Sequence, residues 1–348
     1  MKPHIIIILG MHRSGTSLVS RSLRVFGADL GDNLFPADSD NAKGYWEDID
    51  LINLNKEMLA CLNAEWDHLR PIDAADATRL CEEGYLRRAL ELLSRKVADK
   101  HVSGFKDPRF AQLFPFWRIV FRECGMRVSY ILALRNPLNV AQSLEKRNQI
   151  EKTEGYMMWL AHIMNSLTGT EGSERVAVDY DRLIHDPDIE MRKIATAFSL
   201  TIDADEMELF KSTFVDQNMR HNAFGPEDLE NDPTCPSLIK KTYKLLCDIA
   251  TDGSNINQHD VIKSINDIDS EYKKISYLLK LCDNKSIKIR ECLENVYEYE
   301  SDIRSMSKSI SEYKYYISSL EEKISNIETS ILWKIENKVY RLIRKILP

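Results

Sequence analysis

Five consecutive apolar residues, Ile5 to Leu9, run straight into Gly10-Met11-His12-Arg13-Ser14-Gly15-Thr16-Ser17 and then into a helical stretch from Leu18 to Phe26. A β-branched run of this kind reads as a strand, so the glycines bound a strand-to-helix turn. Such a turn aims several backbone N–H groups and a helix N-terminus at one point, which suits phosphate oxygens. A glycine turn with no ligand is the bland alternative. It does not account for an arginine, two serines and a threonine packed into the same few residues.

The segments that follow repeat the alternation of strand and helix. Strands are expected at 4–9, 101–106, 127–134 and 175–179, separated by helix-period segments, which is the pattern of a parallel sheet flanked by helices. Residues 77–98 place Leu86, Ala89, Leu90, Leu93 and Val97 on one face of a covering helix, and Tyr156, Trp159, Leu160, Ile163 and Leu167 mark a second. The stretch 225–262 is rich in turn residues around one helical piece and reads as a polar linker zone, with the domain boundary in it. The expected organisation is an α/β domain over 1–225, a linker with one helix over 226–265, a helical stalk over 266–331 and a tail over 332–348.

The stalk has its own signature. From Ile289 the apolar positions run through Cys292, Val296, Tyr299, Ile303, Met306, Ile310, Tyr313, Ile317, Leu320, Ile324 and Ile327 to Ile331, in alternating steps of three and four. That is a coiled-coil seam, about 60 Å long at the rise of an α-helix. One phase is nearly all isoleucine, which is compatible with a parallel homodimer; the tyrosines in the other phase keep a trimer open. After it, residues 331–347 interleave aliphatic residues and Trp333 with five basic residues and one acidic one, the composition of a basic amphipathic helix suited to an anionic membrane surface or to packing on another protein.

Composition narrows the partners. The chain has 348 residues and a formal net charge of −7, which argues against a general nucleic-acid binder because such proteins need a basic surplus to displace phosphate counterions. The first apolar run is too short for a signal-peptide core or a membrane span, and the seven scattered cysteines form no C-x-x-C pair. Together these point to a cytoplasmic protein, in peripheral contact with the inner face of the membrane if the tail binds lipid.

A second anion site is written at the end of the third strand. Arg135 is followed by Asn136, a natural N-cap, and Pro137, a natural first helical residue; Asn139 and Ser143 then share one helix face. The first loop has the spacing of a Walker A loop, except that Thr16 stands where nucleotide triphosphatases place their lysine and the cation has moved to Arg13. These pieces together make the chain resemble sulfotransferases that use 3′-phosphoadenosine-5′-phosphosulfate (PAPS). The likeness covers roughly residues 4–225 and includes Val178-Asp179-Tyr180-Asp181-Arg182-Leu183 with Asp186-Pro187, and Phe214-Val215-Asp216 with Arg220-His221.

The resemblance implies a P-loop-type parallel sheet and assigns roles residue by residue. His12, Arg13, Ser14, Gly15, Thr16 and Ser17 would hold the 5′-phosphosulfate, while Arg135 and Ser143 would hold the 3′-phosphate. Arg13 takes the place of the loop lysine of cytosolic members, as in the carbohydrate and tyrosylprotein branches, and Lys106 matches a family lysine. The histidine that cytosolic members carry two residues later is here Pro108, so another base is needed. Glu47, in Gly44-Tyr45-Trp46-Glu47-Asp48, is the candidate, since burial among aromatics would raise its pKa; Asp48, Asp50 and Asp107 are the alternatives. Asp107 and Arg109 read equally as residues that order the site, and His12 and His101 as local hydrogen-bonding groups.

The expected function is transfer of a sulfuryl group from PAPS, leaving 3′-phosphoadenosine-5′-phosphate (PAP), to a hydroxyl of a carbohydrate, such as a lipid-linked surface glycan in polysaccharide biosynthesis. No metal is called for. A P-loop kinase using ATP and a non-catalytic coiled-coil adaptor are the alternatives.

Overall fold

A computed structural model of the chain describes residues 2–38, 41, 43–215, 224–251 and 256–346. The chain divides into two compact units, Met1–Asp283 and Asn284–Pro348.

The first unit is built on four strands, β1 (His4–Leu9), β2 (Val102–Lys106), β3 (Arg127–Leu134) and β4 (Glu174–Asp179). They form one parallel sheet in the order β2-β1-β3-β4. All four match the expected strands to within a residue at either end. Parallel strands need crossover connections, and the helices that supply them cover both faces. Alternation along β1 shows this directly. Ile5, Ile7 and Leu9 pack with Leu54, Met58, Phe105 and Trp117 on one side, and Ile6 and Ile8 pack with Val19, Leu23, Ile194 and Phe198 on the other.

Three expectations need correction. The helix read as continuous over 77–98 is two helices, Ala74–Glu82 and Tyr85–Lys96. The break is at Gly84, whose φ of +84° is a left-handed conformation that L side chains resist and that ends one helix before the next begins. The helix expected from Leu18 to Phe26 begins at Thr16 and passes into a 3₁₀ turn at Leu23–Phe26. The zone 226–265 is not a linker between folded pieces. Its helix Ser237–Thr251 buries Ile239, Tyr243, Leu246 and Ile249 against Trp159 and Leu160, and Ile265, Ile268 and Tyr272 beyond it belong to the same core. The apolar face of that helix is what a polar-flanked reading undervalues.

The helix His259–Thr329 starts in the first unit and carries the seam residues of the second. There Ile289, Ile303, Ile310, Ile317 and Ile324 are 53–65% exposed, and Tyr299, Met306 and Tyr313 of the other phase are exposed as well. Among the described residues no helix is long and apolar enough to cross a membrane.

The exposed isoleucine seam sets an expectation for solution behaviour. The full chain should sediment as a dimer at micromolar concentration, and a chain ending before Ile289 as a monomer. Sedimentation of the full chain as a monomer would show that the seam does not pair.

Candidate active site

The four strands end at the same edge of the sheet, and each delivers a polar group there. At the end of β1 the loop turns sharply: Arg13 has φ +69° and Gly15 φ +76°. Ser14 N–H donates to Met11 O (3.1 Å), and Leu18 N–H and Val19 N–H donate to Gly15 O (3.0 and 3.2 Å) as the helix begins. Only glycine fits at position 15, because a Cβ there would lie 2.0 Å from Cδ2 of Tyr180. Tyr180 is the first residue after β4, so the loop of one strand is moulded on the end of another.

The turn after β3 meets the same loop. Asn136 Oδ1 accepts from Leu138 N–H (2.9 Å), capping the helix Pro137–Asn148 as its sequence predicts. Arg13 Nε donates to Ser143 Oγ on that helix (2.8 Å), and an Arg135 Nη donates back to Arg13 O (2.8 Å). The Arg135 guanidinium lies 4.5 Å from the ring centre of Tyr180. The two anion turns read separately in the sequence are therefore one hydrogen-bonded unit.

Lys106, at the end of β2, is buried and pairs with Glu47; its Nζ also lies 3.4 Å from Ser17 Oγ. Burial pushes the Glu47 carboxyl above the usual carboxylate range, against the pull of the Lys106 ammonium. The alternatives to Glu47 are committed elsewhere. Asp48 caps the helix Ile49–Cys61 and pairs with Lys96 (2.8 Å), which also holds Asp50 (2.6 Å) and Asp32. Asp107 accepts from Asn55 Nδ2 (2.8 Å) and from the backbone N–H and guanidinium of Arg109 (3.0 and 2.9 Å), so its carboxylate is held away from the cavity.

These groups surround a cavity of about 410 Å³, which is within the range of small-molecule sites. His12, Arg13, Gly15, Thr16, Ser17, Glu47, Lys106, Arg135 and Ser143 all line it. Ser14 does not: its side chain is buried and the turn at Arg13 and Gly15 points it inward. His12 packs edge-on to Trp66 (4.9 Å), and its Nε2 is buried without a hydrogen-bond partner. Burial and the nearby cations Arg109, Lys106 and Arg13 hold its pKa well below the usual range, so the imidazole is neutral. His101 is exposed and lies outside the cavity. Asp216, Arg220 and His221 fall outside the described residues.

The structure adds residues that the sequence reading passed over. Arg21, Lys43 and Arg147 also line the cavity, giving six cations with Arg13, Lys106 and Arg135 against one carboxylate, Glu47. Arg147 was open to discovery, because Asn139, Ser143 and Arg147 follow at four-residue steps on one helix face. Lys43 reaches the site from an irregular segment, where its Nζ donates to Phe214 O (3.1 Å), and no local pattern marks it. Trp46 and Phe214 pack edge-on at 5.9 Å, with the Arg21 guanidinium 4.2 Å from the Phe214 ring centre.

No family model matches this chain, and no curated protein matches it. Among solved structures it is similar to the sulfotransferase domain from the Synechococcus PCC 7002 olefin synthase, at 17% identity over 76% of this chain and 94% of that one, with a TM-score of 0.39. It is similar to the sulfotransferase domain from the curacin biosynthetic pathway, at 13% identity over 78% and 98% of the two chains, with a TM-score of 0.36. It is also similar to sulfotransferase STF1 from Mycobacterium tuberculosis H37Rv, at 14% identity over 61% and 72%, with a TM-score of 0.36.

Asp179, the last residue of β4, lies outside the cavity, and its burial gives the fold a pH dependence of its own. Burial pushes its carboxyl up to about 6, although its Oδ1 accepts from Arg182 N–H (2.9 Å). A raised folded-state pKa means that the favourable protonated form is fully present below the unfolded value near 4 and lost as pH rises through 6. Asp179→Asn keeps the accepting oxygen and cannot ionise. It should raise stability above pH 7 by about 1–3 kcal/mol and flatten the pH slope between 4 and 6, as read by chemical denaturation across that range.

Proposed function

We propose that this chain transfers a sulfuryl group from PAPS to a hydroxyl acceptor, with a carbohydrate hydroxyl as the preferred acceptor class. The observation that carries the reading is the cavity's charge. Six cations and one carboxylate line the cavity in a chain whose overall charge is −7, and even with Arg21 paired to Glu206 (2.6 Å) and Lys106 to Glu47 a cationic surplus is left for a strongly anionic ligand. PAPS offers two separated anionic groups, and the site has two anion turns joined through Arg13 and Ser143. The carbohydrate preference follows the sequence resemblance at Arg13.

The chemistry asked of the residues is modest. The acceptor oxygen bonds to sulfur as the bond from sulfur to the bridging phosphate oxygen breaks, and PAP leaves with that electron pair. By analogy with phosphoryl transfer, the transition state is loose, so positioning and charge stabilisation supply most of the acceleration. Arg13 and Lys106 face the charge that develops on the leaving oxygen. Glu47, with its raised pKa, takes the proton of the acceptor hydroxyl. Once protonated, Glu47 no longer holds Lys106 by charge, so the ammonium is released toward the leaving group as the proton arrives.

Thr16 counts against a kinase reading, because it leaves the loop without the lysine that would meet a β- or γ-phosphate. The two readings separate by ligand. PAP should raise the melting temperature of the protein clearly more than ATP at the same concentration, because only a ligand that binds the native state stabilises it. Equal shifts would favour the kinase.

Arg135→Ala should weaken PAP by roughly ten- to a hundredfold while leaving adenosine 5′-phosphosulfate, which lacks the 3′-phosphate, within about twofold, as measured by calorimetry. Parallel losses would remove Arg135 from the 3′-phosphate site.

Glu47→Gln should retain PAP affinity and lose about 10²-fold or more in transfer of labelled sulfate to a carbohydrate panel. Unchanged transfer would exclude Glu47 as the base.

A further inference from the structure

The terminal helix Ile331–Ile346 is separate from the helix before it. Ser330 stands between them, and its Oγ accepts from Trp333 N–H (3.2 Å) while its carbonyl accepts from Lys334 N–H (3.1 Å), so a new helix starts there with its own cap. None of its residues is buried.

At about 100° per residue, Leu332, Ile335, Val339, Leu342, Ile343 and Ile346 fall within one arc, and they are 49–76% exposed. Lys334, Lys338, Arg341, Arg344 and Lys345 fall on the opposite arc, with Trp333 and Tyr340 at the border between the two.

A second copy of this chain does not cover that apolar arc by extending the stalk. Continued past Ile331 in the same steps of three and four, the seam would land on Lys334, Lys338, Arg341 and Lys345. A pairing interface there would stack four like charges against four more. The coiled-coil pattern therefore stops at Ile331, and the apolar face of the terminal helix points away from the seam's line.

What remains is an aliphatic face bordered by aromatic side chains and backed by five cations against Glu336 alone. Those are the complementary features of an anionic lipid surface: an apolar layer, an interface that favours Trp and Tyr, and negative headgroups within reach of long basic side chains. We infer that the helix Ile331–Ile346 docks this protein in the plane of an anionic membrane, with its aliphatic arc in the acyl boundary and its lysines and arginines at the headgroups. This holds whatever reaction the first unit performs.

Co-sedimentation of the full chain with phosphatidylcholine vesicles, with and without phosphatidylglycerol, tests it. Binding should require phosphatidylglycerol and weaken with added salt. The double substitution Lys338→Gln with Arg341→Gln should weaken it roughly thirtyfold. Ile335→Ser with Leu342→Ser, which leaves the charge unchanged, should weaken it by at least about tenfold. An unchanged helical circular-dichroism signal of the full chain, together with an unchanged thermal melt, confirms that both variants keep the terminal helix and the fold. Failure to bind phosphatidylglycerol vesicles would overturn the assignment in favour of a protein groove. Binding that the aliphatic pair leaves untouched would overturn it in favour of charge attraction without insertion.

Discussion

Strand β1 is buried on both faces along its whole length, and this constraint organises the first unit. A parallel strand covered on both sides has no lateral surface on which to place a functional group. Its neighbours β2 and β3 are in the same position over most of their lengths. Polar chemistry is therefore confined to the carboxyl edge of the sheet, where the chain leaves each strand and turns toward a helix. The loop after β1, Lys106 at the end of β2, Arg135 after β3 and Tyr180 after β4 meet there because the parallel register leaves the strand ends staggered by no more than three residues. The covering helices wall off the faces of the sheet with apolar side chains, and the opening turns of two of them add Thr16, Ser17, Asn139 and Ser143 to this edge.

Within that edge, electrostatics is settled by pairing. The acidic residues near Glu47 are drawn off by partners of their own. Lys96 gathers Asp32, Asp48 and Asp50, and Arg109 with Asn55 holds Asp107. Buried ion pairs of this sort add little net stability, because desolvation offsets most of the attraction. Their effect is on geometry. Asp48 is fixed as a helix cap and as a partner of Lys96, so its neighbour Glu47 is carried to Lys106 and to the cavity. Gly31 belongs to the same arrangement, since a Cβ there would lie 2.6 Å from Asp48 Oδ2. One carboxylate is thereby left among the lining cations, of which Arg21 is balanced by Glu206 outside the cavity (2.6 Å).

The second unit follows different physics. Its helices bury almost nothing of their own, and their patterns change at Ser330. Before it, apolar residues keep a seam in steps of three and four; after it, the same steps fall on cations and the apolar residues move to another face. The two stretches of helix thus present their apolar residues on different lines, the first flanked by polar residues and the second backed by cations.

Much of this was legible in the residues themselves. Strand positions, the cap at Asn136, the glycine-bounded loop and the seam are set by local preferences: β-branching, a proline at the first helical turn, glycine where φ is positive, and the period of apolar residues. The same local signals misled where two helices shared one apolar period across Gly84, and where the turn residues around the expected helix Ser237–Thr251 made it read as linker although its apolar face completes the core. Folding in three dimensions decided the rest. That Arg13 bonds Ser143, that Tyr180 fills the space Gly15 leaves, that Lys43 and Arg21 join the cavity and that Ser14 does not are consequences of packing between segments distant in the chain. Sequence determined which turns could bind an anion, because that ability resides in a few adjacent backbone groups; only the tertiary structure decided that they line one cavity with one carboxylate, Glu47, because that depends on which charges had already found partners.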